Sequence, residues 1–264
     1  VKVTGTGRRS FRFLYSGKND GPTNMAIDEA VMNGLRDGRS LPLLRIYAWD
    51  PPTITIGYFQ HARDIDRERV RKSGFNLVRR LTGGRAVLHH EELTYSILFT
   101  ADDFEPFRKK EIFRFIARCL MDSLALLGIR SEMATKSRGD ARSANCFASP
   151  AQYEIESPDF GKLIGSAQVI SKGVMLQHGA IPLTDSYAAI LDYLTCDSPF
   201  QKENTSLNAL APSPVTEEDL LKALKRGFQD HLDLVDAVLT ERELTDAREL
   251  VENKYGRDEW NLRL

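Results

Sequence analysis

Hydrophobic positions recur with two periods along this chain, and the switches between them mark its elements. Leu93, Tyr95, Ile97 and Phe99 alternate with Thr94, Ser96 and Thr100, which predicts a half-buried strand. Short runs rich in β-branched and aromatic residues at Phe11–Tyr15, Leu43–Trp49, Thr53–Phe59, Asn76–Leu81, Arg85–His89, Lys162–Ile170 and Val174–Leu183 predict further strands. Asp50-Pro51-Pro52 reads as a turn, and Ser157-Pro-Asp-Phe-Gly161 as a hairpin turn preceded by a strand over Gln152–Glu156. Elsewhere the period is near 3.6. Met25, Ala26, Ala30 and Leu35 predict a helix over Thr23–Arg36. Ile112, Ile116, Cys119, Leu120, Ser123 and Leu127 form one face of a longer helix over Glu105–Leu127. Asp64–Lys72 reads as a short charged helix.

The pattern changes after about Pro199. Thr216-Glu-Glu-Asp219 and Thr240-Glu-Arg-Glu243 have capping-box spacing, the second with Leu239 and Leu244 placed as a hydrophobic staple. The expected organisation is a catalytic domain over 11–198, a linker over 199–215 and a small helical subdomain over 216–264 packed on it. Interspersed helices and hairpin signals do not make a βαβ series. The fold class expected is α+β, with mixed, largely antiparallel sheets flanked by helices and a small C-terminal helical segment.

Composition narrows the function. At 42% hydrophobic and 28% charged, a chain of 264 residues has ample core. A net charge of −1 argues against nucleic acid as the main partner, since phosphate-binding surfaces leave a basic excess. Basic clusters at Arg8–Arg12 and Arg63–Lys72 read as solvated faces, or as a dock for an acidic protein. No apolar run is long enough to span a membrane, and Val1–Ser10 lacks the apolar centre of a secretion signal. Three cysteines, Cys119, Cys146 and Cys196, without metal spacing predict reduced thiols, no metal site and a cytoplasmic protein. Cys119 sits on the apolar helix face, so it reads as core.

The densest chemistry lies at Arg79–Ser96. The pair Gly83 and Gly84, flanked by Arg79, Arg80 and Arg85, would let a backbone approach an anionic or carbonyl-bearing ligand. No Gly-Lys-Ser/Thr follows, so it is not a Walker loop. Cys146 stands in the polar stretch Ala134–Ser149, a long loop of the kind that often carries function. It is either a small buried hydrophobe or a nucleophile, and the second role needs a neighbouring cation or base. Lys162 is either a solvated corner lysine or the cation that holds a thiolate. The small residues Gly165, Ser166 and Ala167 inside a strand permit close packing or leave room for a ligand. His89, His90 and His178 are structural histidines or bases.

Arg79-Arg-Leu-Thr-Gly-Gly-Arg-Ala-Val-Leu-His89 resembles the signature of the lipoate–protein ligase and octanoyltransferase superfamily, which is related to biotin ligases. Asn24-Met-Ala-Ile-Asp-Glu29, Pro51-Pro-Thr-Ile-Thr-Ile-Gly-Tyr58, Gly161-Lys-Leu-Ile-Gly-Ser-Ala-Gln168 and His178-Gly179 agree with it in chain order, and Lys254-Tyr-Gly-Arg-Asp-Glu-Trp-Asn261 resembles a closing segment of the family. Cys146-Phe-Ala-Ser-Pro-Ala-Gln-Tyr-Glu154 looks like the cysteine-bearing segment of the ligase-like octanoyltransferases. The resemblance implies a biotin/lipoate ligase-like fold with Cys146 as nucleophile and Lys162 as the residue that lowers its pKa. It further implies an acyl site built from Arg79, Gly83, Gly84, Arg85, His89, Gly165, Ser166, Ala167, His178 and Gly179. The implied donor is octanoyl-acyl carrier protein, with the acyl group on phosphopantetheine and no ATP or metal. The implied acceptor is a lysine of a glycine cleavage H protein or of a lipoyl domain of a 2-oxoacid dehydrogenase. A monomer is expected. Arg85 stands where ligases usually carry a third glycine, which leans away from ATP-dependent lipoate ligation. An octanoyl amidotransferase between lipoyl-accepting proteins is the other alternative. His90 departs from the aspartate usual after the signature histidine.

Overall fold

The computed structural model describes residues 10–134, 154–195 and 204–264. Cys146 and Cys196 lie outside the described residues. Among the described residues a large mixed sheet contains β1 (Phe11–Asn19), β2 (Leu43–Trp49), β6 (Glu92–Thr100), β7 (Glu132–Met133), β8 (Ile155–Ser157), β9 (Gly161–Ser171), β10 (Val174–Pro182) and β11 (Leu234–Asp236), in the order β11-β1-β2-β6-β10-β9-β8-β7. Within this sheet, among the described residues, only the β11–β1 and β1–β2 pairs are parallel. A small sheet joins β4 (Asn76–Arg79), β3 (Thr53–Ile56) and β5 (Val87–His89). This is the mixed α+β arrangement expected from the pattern.

Helix α1 (Gly21–Arg36) covers one face of the large sheet. It starts two residues before the predicted Thr23, because Asp20 caps the Thr23 N–H at 2.8 Å and Pro22 fits the first turn. After α2 (Arg67–Lys72), capped by Asp66, the next helix is α3 (Lys109–Leu126) on the opposite face. It begins four residues later than predicted, since the residue before Pro106 is pushed away from helical geometry. Cys119 is buried in α3, and burial raises its thiol well above the usual range, as a core cysteine requires.

The largest departure from expectation is β6. It is buried on both faces rather than one, with only Thr100 partly exposed. Leu93, Tyr95, Ile97 and Phe99 enter the α3-side core, while the polar alternates turn toward α1 and the small sheet. The polar face predicted for water is the inside of the candidate site.

The C-terminal segment includes α4 (Leu207–Leu210), α5 (Glu217–Gln229), α6 (Glu241–Leu250) and α7 (Asp258–Asn261). Both predicted capping boxes form. Leu220, Leu224 and Phe228 of α5 share the main core with α3, and β11, which the pattern did not predict, extends the large sheet. Helix α6 is fastened to β1 by Glu243, which accepts from Arg12 at 2.6 and 2.9 Å and from Ser40 at 2.7 Å. Burial works to raise this carboxyl, but the bonds from Arg12, Ser40 and the Thr240 N–H outweigh it and hold the pKa at about 2, against an ordinary 4.5. A depressed folded-state pKa adds stability above the ordinary value and loses it as pH falls through the window from 4.5 to about 2. Glu243→Gln should therefore be less stable than the parent at neutral pH. In urea melts across pH that difference should shrink through the same window, and a constant difference would count against the assignment.

Candidate active site

Thr94 of β6 and Tyr47 and Trp49 of β2 face a cleft between the large and small sheets. It is lined by Met25, Tyr47, Trp49, Thr55, Arg80, Val87, His89, Thr94, Gly165, Ser166, Ala167, His178, Gly179 and Ala180. Apolar and small side chains form most of this wall, and its polar groups are tied to one another.

One network holds the roof. The Trp49 indole N–H donates to Thr94 Oγ1 at 2.8 Å, and the Thr94 hydroxyl donates to Glu92 Oε1 at 2.5 Å. Glu92 Oε1 also faces His89 Nδ1 at 2.8 Å, and His89 Nε2 meets Thr55 Oγ1 at 2.9 Å. Arg80 Nη1 donates to the same Thr55 oxygen at 3.1 Å. The Glu92 carboxylate, which can only accept, places a proton on His89 Nδ1. Trp49 and His89 stack with centroids 4.1 Å apart.

A second network holds the floor. Asp28 of α1 is buried and accepts from Arg45 at 2.9 Å and Ser96 at 2.8 Å, with His178 Nδ1 3.9 Å away. Burial works to raise the Asp28 carboxyl, but His178, Arg45 and Ser96 together hold it below its ordinary value. Burial also pushes the His178 imidazole down against the pull of Asp28. Its Nε2 meets Thr82 Oγ1 at 2.6 Å, which pins the glycine turn to β10.

The glycine turn is built by Arg80, whose Nη2 donates to the carbonyls of Gly83 and Arg85 at 2.9 and 2.8 Å. These bonds occupy the residues where β5 was predicted to begin, so the strand starts at Val87 instead. Gly84 has φ +93°, which favours glycine, and its carbonyl packs against the Cα of Gly57. Across the cleft a side chain on Gly179 would meet Tyr95 Cε1 at 2.6 Å and Ser166 Oγ at 2.7 Å. Its absence lets the Tyr95 hydroxyl bond Ser166 at 2.7 Å beneath the floor.

Of the residues picked from sequence, His89, Gly165, Ser166, Ala167, His178 and Gly179 come together in the cleft wall. Gly83 lines a neighbouring open groove with Tyr58, Phe59 and Lys172, and Gly84 and Arg85 shape the turn. Arg79 lies behind the cleft. Its guanidinium donates to the carbonyls of Gly57 and Gln60 at 2.7 Å, and burial, then Arg263 and Arg80, push its pKa down to about 10. Sequence reasoning gave no separate role to Asp28, Tyr47, Trp49, Thr55 or Thr94. The signal for Thr94 was present as a polar alternate in a strand buried on both faces.

Lys162 is buried on β9, and its ammonium donates to Glu154 at 2.8 Å. A bulge interrupts strand alternation at this end of β9, where Ile155 pairs with Ile164 but Glu156 pairs with Lys162. Two chain segments are rooted beside Lys162. The Ala134 N–H donates to the Glu154 carbonyl at 2.8 Å, so the segment bearing Cys146 leaves and returns at the Lys162–Glu154 pair. The Thr205 N–H donates to the Lys162 carbonyl at 3.0 Å. Cys146 is eight residues from Glu154 in the chain, within about 29 Å of extended reach.

Comparison with known proteins places this geometry. Residues 20–229 match the family model of the lipoyl protein ligase A/B catalytic domain. Octanoyltransferase LipM of Kyrpidia tusciae is 39% identical, covering 97% of this chain and 99% of its own, and that of Brevibacillus brevis is 35% identical, covering 96% and 99%. A putative lipoate protein ligase from T. acidophilum, solved with bound lipoic acid, superposes with a TM-score of 0.79 at 28% identity, covering 97% of this chain and 99% of the other. A motif-bearing cleft, a matching fold and near full-length relatives lead to one conclusion: the chain belongs to the lipoyl protein ligase A/B catalytic domain family.

Proposed function

We propose that this protein is an octanoyltransferase of protein lipoylation, working through a thioester on Cys146. The observation that carries the reading is the apolar cleft ending at β9, beside the Lys162–Glu154 pair where the Cys146 segment is rooted. The LipM relatives and the lipoic acid bound by the T. acidophilum protein support it. Burying the alkyl tail of an octanoyl group contributes roughly 5 kcal/mol at about 0.8 kcal/mol per CH₂.

The donor is octanoyl-acyl carrier protein. The Cys146 thiolate attacks the thioester carbonyl, the new C–S bond forms, and the carrier thiolate leaves and takes up a proton. Exchange of one thioester for another needs no ATP. The neutral amine of an acceptor lysine then attacks the acyl-enzyme, loses a proton and expels the Cys146 thiolate, leaving an amide. The acceptor is a glycine cleavage H protein or a lipoyl domain. The setting proposed is the cytoplasm.

Incubation with the octanoyl carrier and no ATP should add one octanoyl mass to the intact protein. A lipoyl-accepting protein should then remove it. Absence of the adduct would sink the mechanism. Product formed only from free acid and ATP would make the protein a ligase, and transfer only from an octanoylated H protein would make it an amidotransferase.

A further inference from the structure

The cleft continues into the open groove beside it, and three chain segments run from one to the other. On α1, Met25 lines the cleft, and Glu29, Met32 and Arg36 follow at helical spacing into the groove. On β9, Ala167 lines the cleft, and the residues from Gln168 to Lys172 line the groove. The glycine turn does the same, with Arg80 at the cleft and Gly83 at the groove. From Met25 to Arg36 the helix climbs about 16 Å at roughly 1.5 Å per residue. From Ala167 to Lys172 the strand covers about the same distance, roughly 16 Å at about 3.3 Å per residue.

Two properties mark this groove. Its β9 wall is an open sheet edge: beyond Ile164, β9 pairs with β10 and, among the described residues, with no strand on its other side. Backbone N–H and C=O groups on such an edge can bond the amides of an extended ligand. The far end of the groove is cationic. Lys172 stands in the turn after β9, and Lys109, the first residue of α3, is tied to the strand by the Gln168 side chain, which donates to its carbonyl at 3.4 Å. Neither lysine meets a carboxylate among the described residues, whereas Arg36 is shared with Asp37 at 3.1 Å. Glu29, the carboxylate lining the groove, is neutralised by Lys254 at 2.7 Å and accepts from the Tyr255 hydroxyl at 2.7 Å.

From this continuity we infer that the groove holds the phosphopantetheine arm of the acyl carrier, with the arm's amides along the open edge of β9 and its phosphodiester at Lys109 and Lys172. The inference rests on the acyl-transfer reading above. Such an arm has about thirteen bonds between its sulfur and its phosphorus and spans roughly 16 Å at the advance per bond of an extended backbone. The lysines therefore stand one arm's length from the cleft. That is where the arm carries its negative charge, since the intervening pantetheine is neutral.

The test uses small donors that present the arm without the carrier: the octanoyl thioesters of 4′-phosphopantetheine, of pantetheine and of N-acetylcysteamine. In the parent protein kcat/KM should be about tenfold higher for the phosphorylated donor than for octanoyl pantetheine, the scale of two exposed ion contacts. The difference should lie in KM and shrink as salt is added. In the double variant Lys109→Ala, Lys172→Ala the ratio should fall close to one. Both side chains are exposed, and thermal unfolding checks that the variant is folded. The N-acetylcysteamine thioester, which lacks the second amide, should react more slowly than octanoyl pantetheine, and equal rates from these two would overturn the placement along β9. Equal kcat/KM for the phosphorylated and unphosphorylated donors in the parent, or an unmoved ratio in the folded double variant, overturns the inference. It also fails if the double variant slows only the carrier-borne donor, because the lysines would then touch the carrier's protein surface and not its arm. If no thioester acylates the parent at all, the acyl-transfer reading fails instead, which is a separate result.

Discussion

Alanine in place of Cys146 should abolish the octanoyl adduct and lower octanoyl transfer by roughly a thousandfold or more, the scale expected when a covalent nucleophile is removed. Transfer would then need direct attack of the acceptor lysine on the carrier thioester. An unperturbed lysine has a pKa near 10.4, so only about four amines in ten thousand are neutral at pH 7. Cys146→Ser should fare little better, because a thiol with a pKa near 8.5 supplies a few per cent of thiolate at neutral pH while a hydroxyl supplies essentially none. Intact mass after incubation with the octanoyl carrier, together with amide formation on a lipoyl-accepting protein, measures both steps. Full transfer by Cys146→Ala would remove the covalent route altogether.

Lys162→Met should damage the protein in two separable ways. The Lys162 ammonium and the Glu154 carboxylate are both almost fully buried and lie 2.8 Å apart. Taking away only the cation leaves a buried carboxylate without it, a loss of about 3–5 kcal/mol. Urea melts should register that loss, and Lys162→Met combined with Glu154→Gln should recover much of it. Acylation should not recover, since neither variant restores a cation beside the Cys146 segment. In both, the acylation rate should rise with pH as more thiolate forms without assistance. Normal acylation by the double variant would reduce the pair to a structural ion pair.

How far the sequence discloses such a site depends on what each residue's meaning rests on. The strand small residues and the His178-Gly179 pair stand out because their types are unusual inside strands, and the structure puts them in the cleft wall. Arg79 and Arg80 could not be told apart, because adjacent strand residues point to opposite sides and only pairing chooses the side. Here Ile56 pairs with Arg79, and the Arg80 N–H bonds the Ile56 carbonyl. Arg79 thereby turns behind the sheet while Arg80 faces the cleft. Asp28 and Arg45 look like surface charges in a linear reading, and only the packing of α1 on the sheet makes them a buried pair. Tyr47 and Trp49 pass for ordinary core residues for the same reason. The fold class was more accessible than these contacts, since it follows from periods and turns rather than from which faces meet.

The tie between Ala134 and Glu154 has an evolutionary consequence. The sheet edge is closed before the intervening segment departs, so the pairing of β7, β8 and β9 does not depend on what that segment contains. Lengthening such an excursion is thermodynamically mild, about 0.6 kcal/mol for each doubling. Selection can thus rewrite that segment, in number as well as kind, without disturbing the strands that flank it. Divergent reaction chemistries on one scaffold need no redesign of the scaffold, only a new insert between two fixed posts.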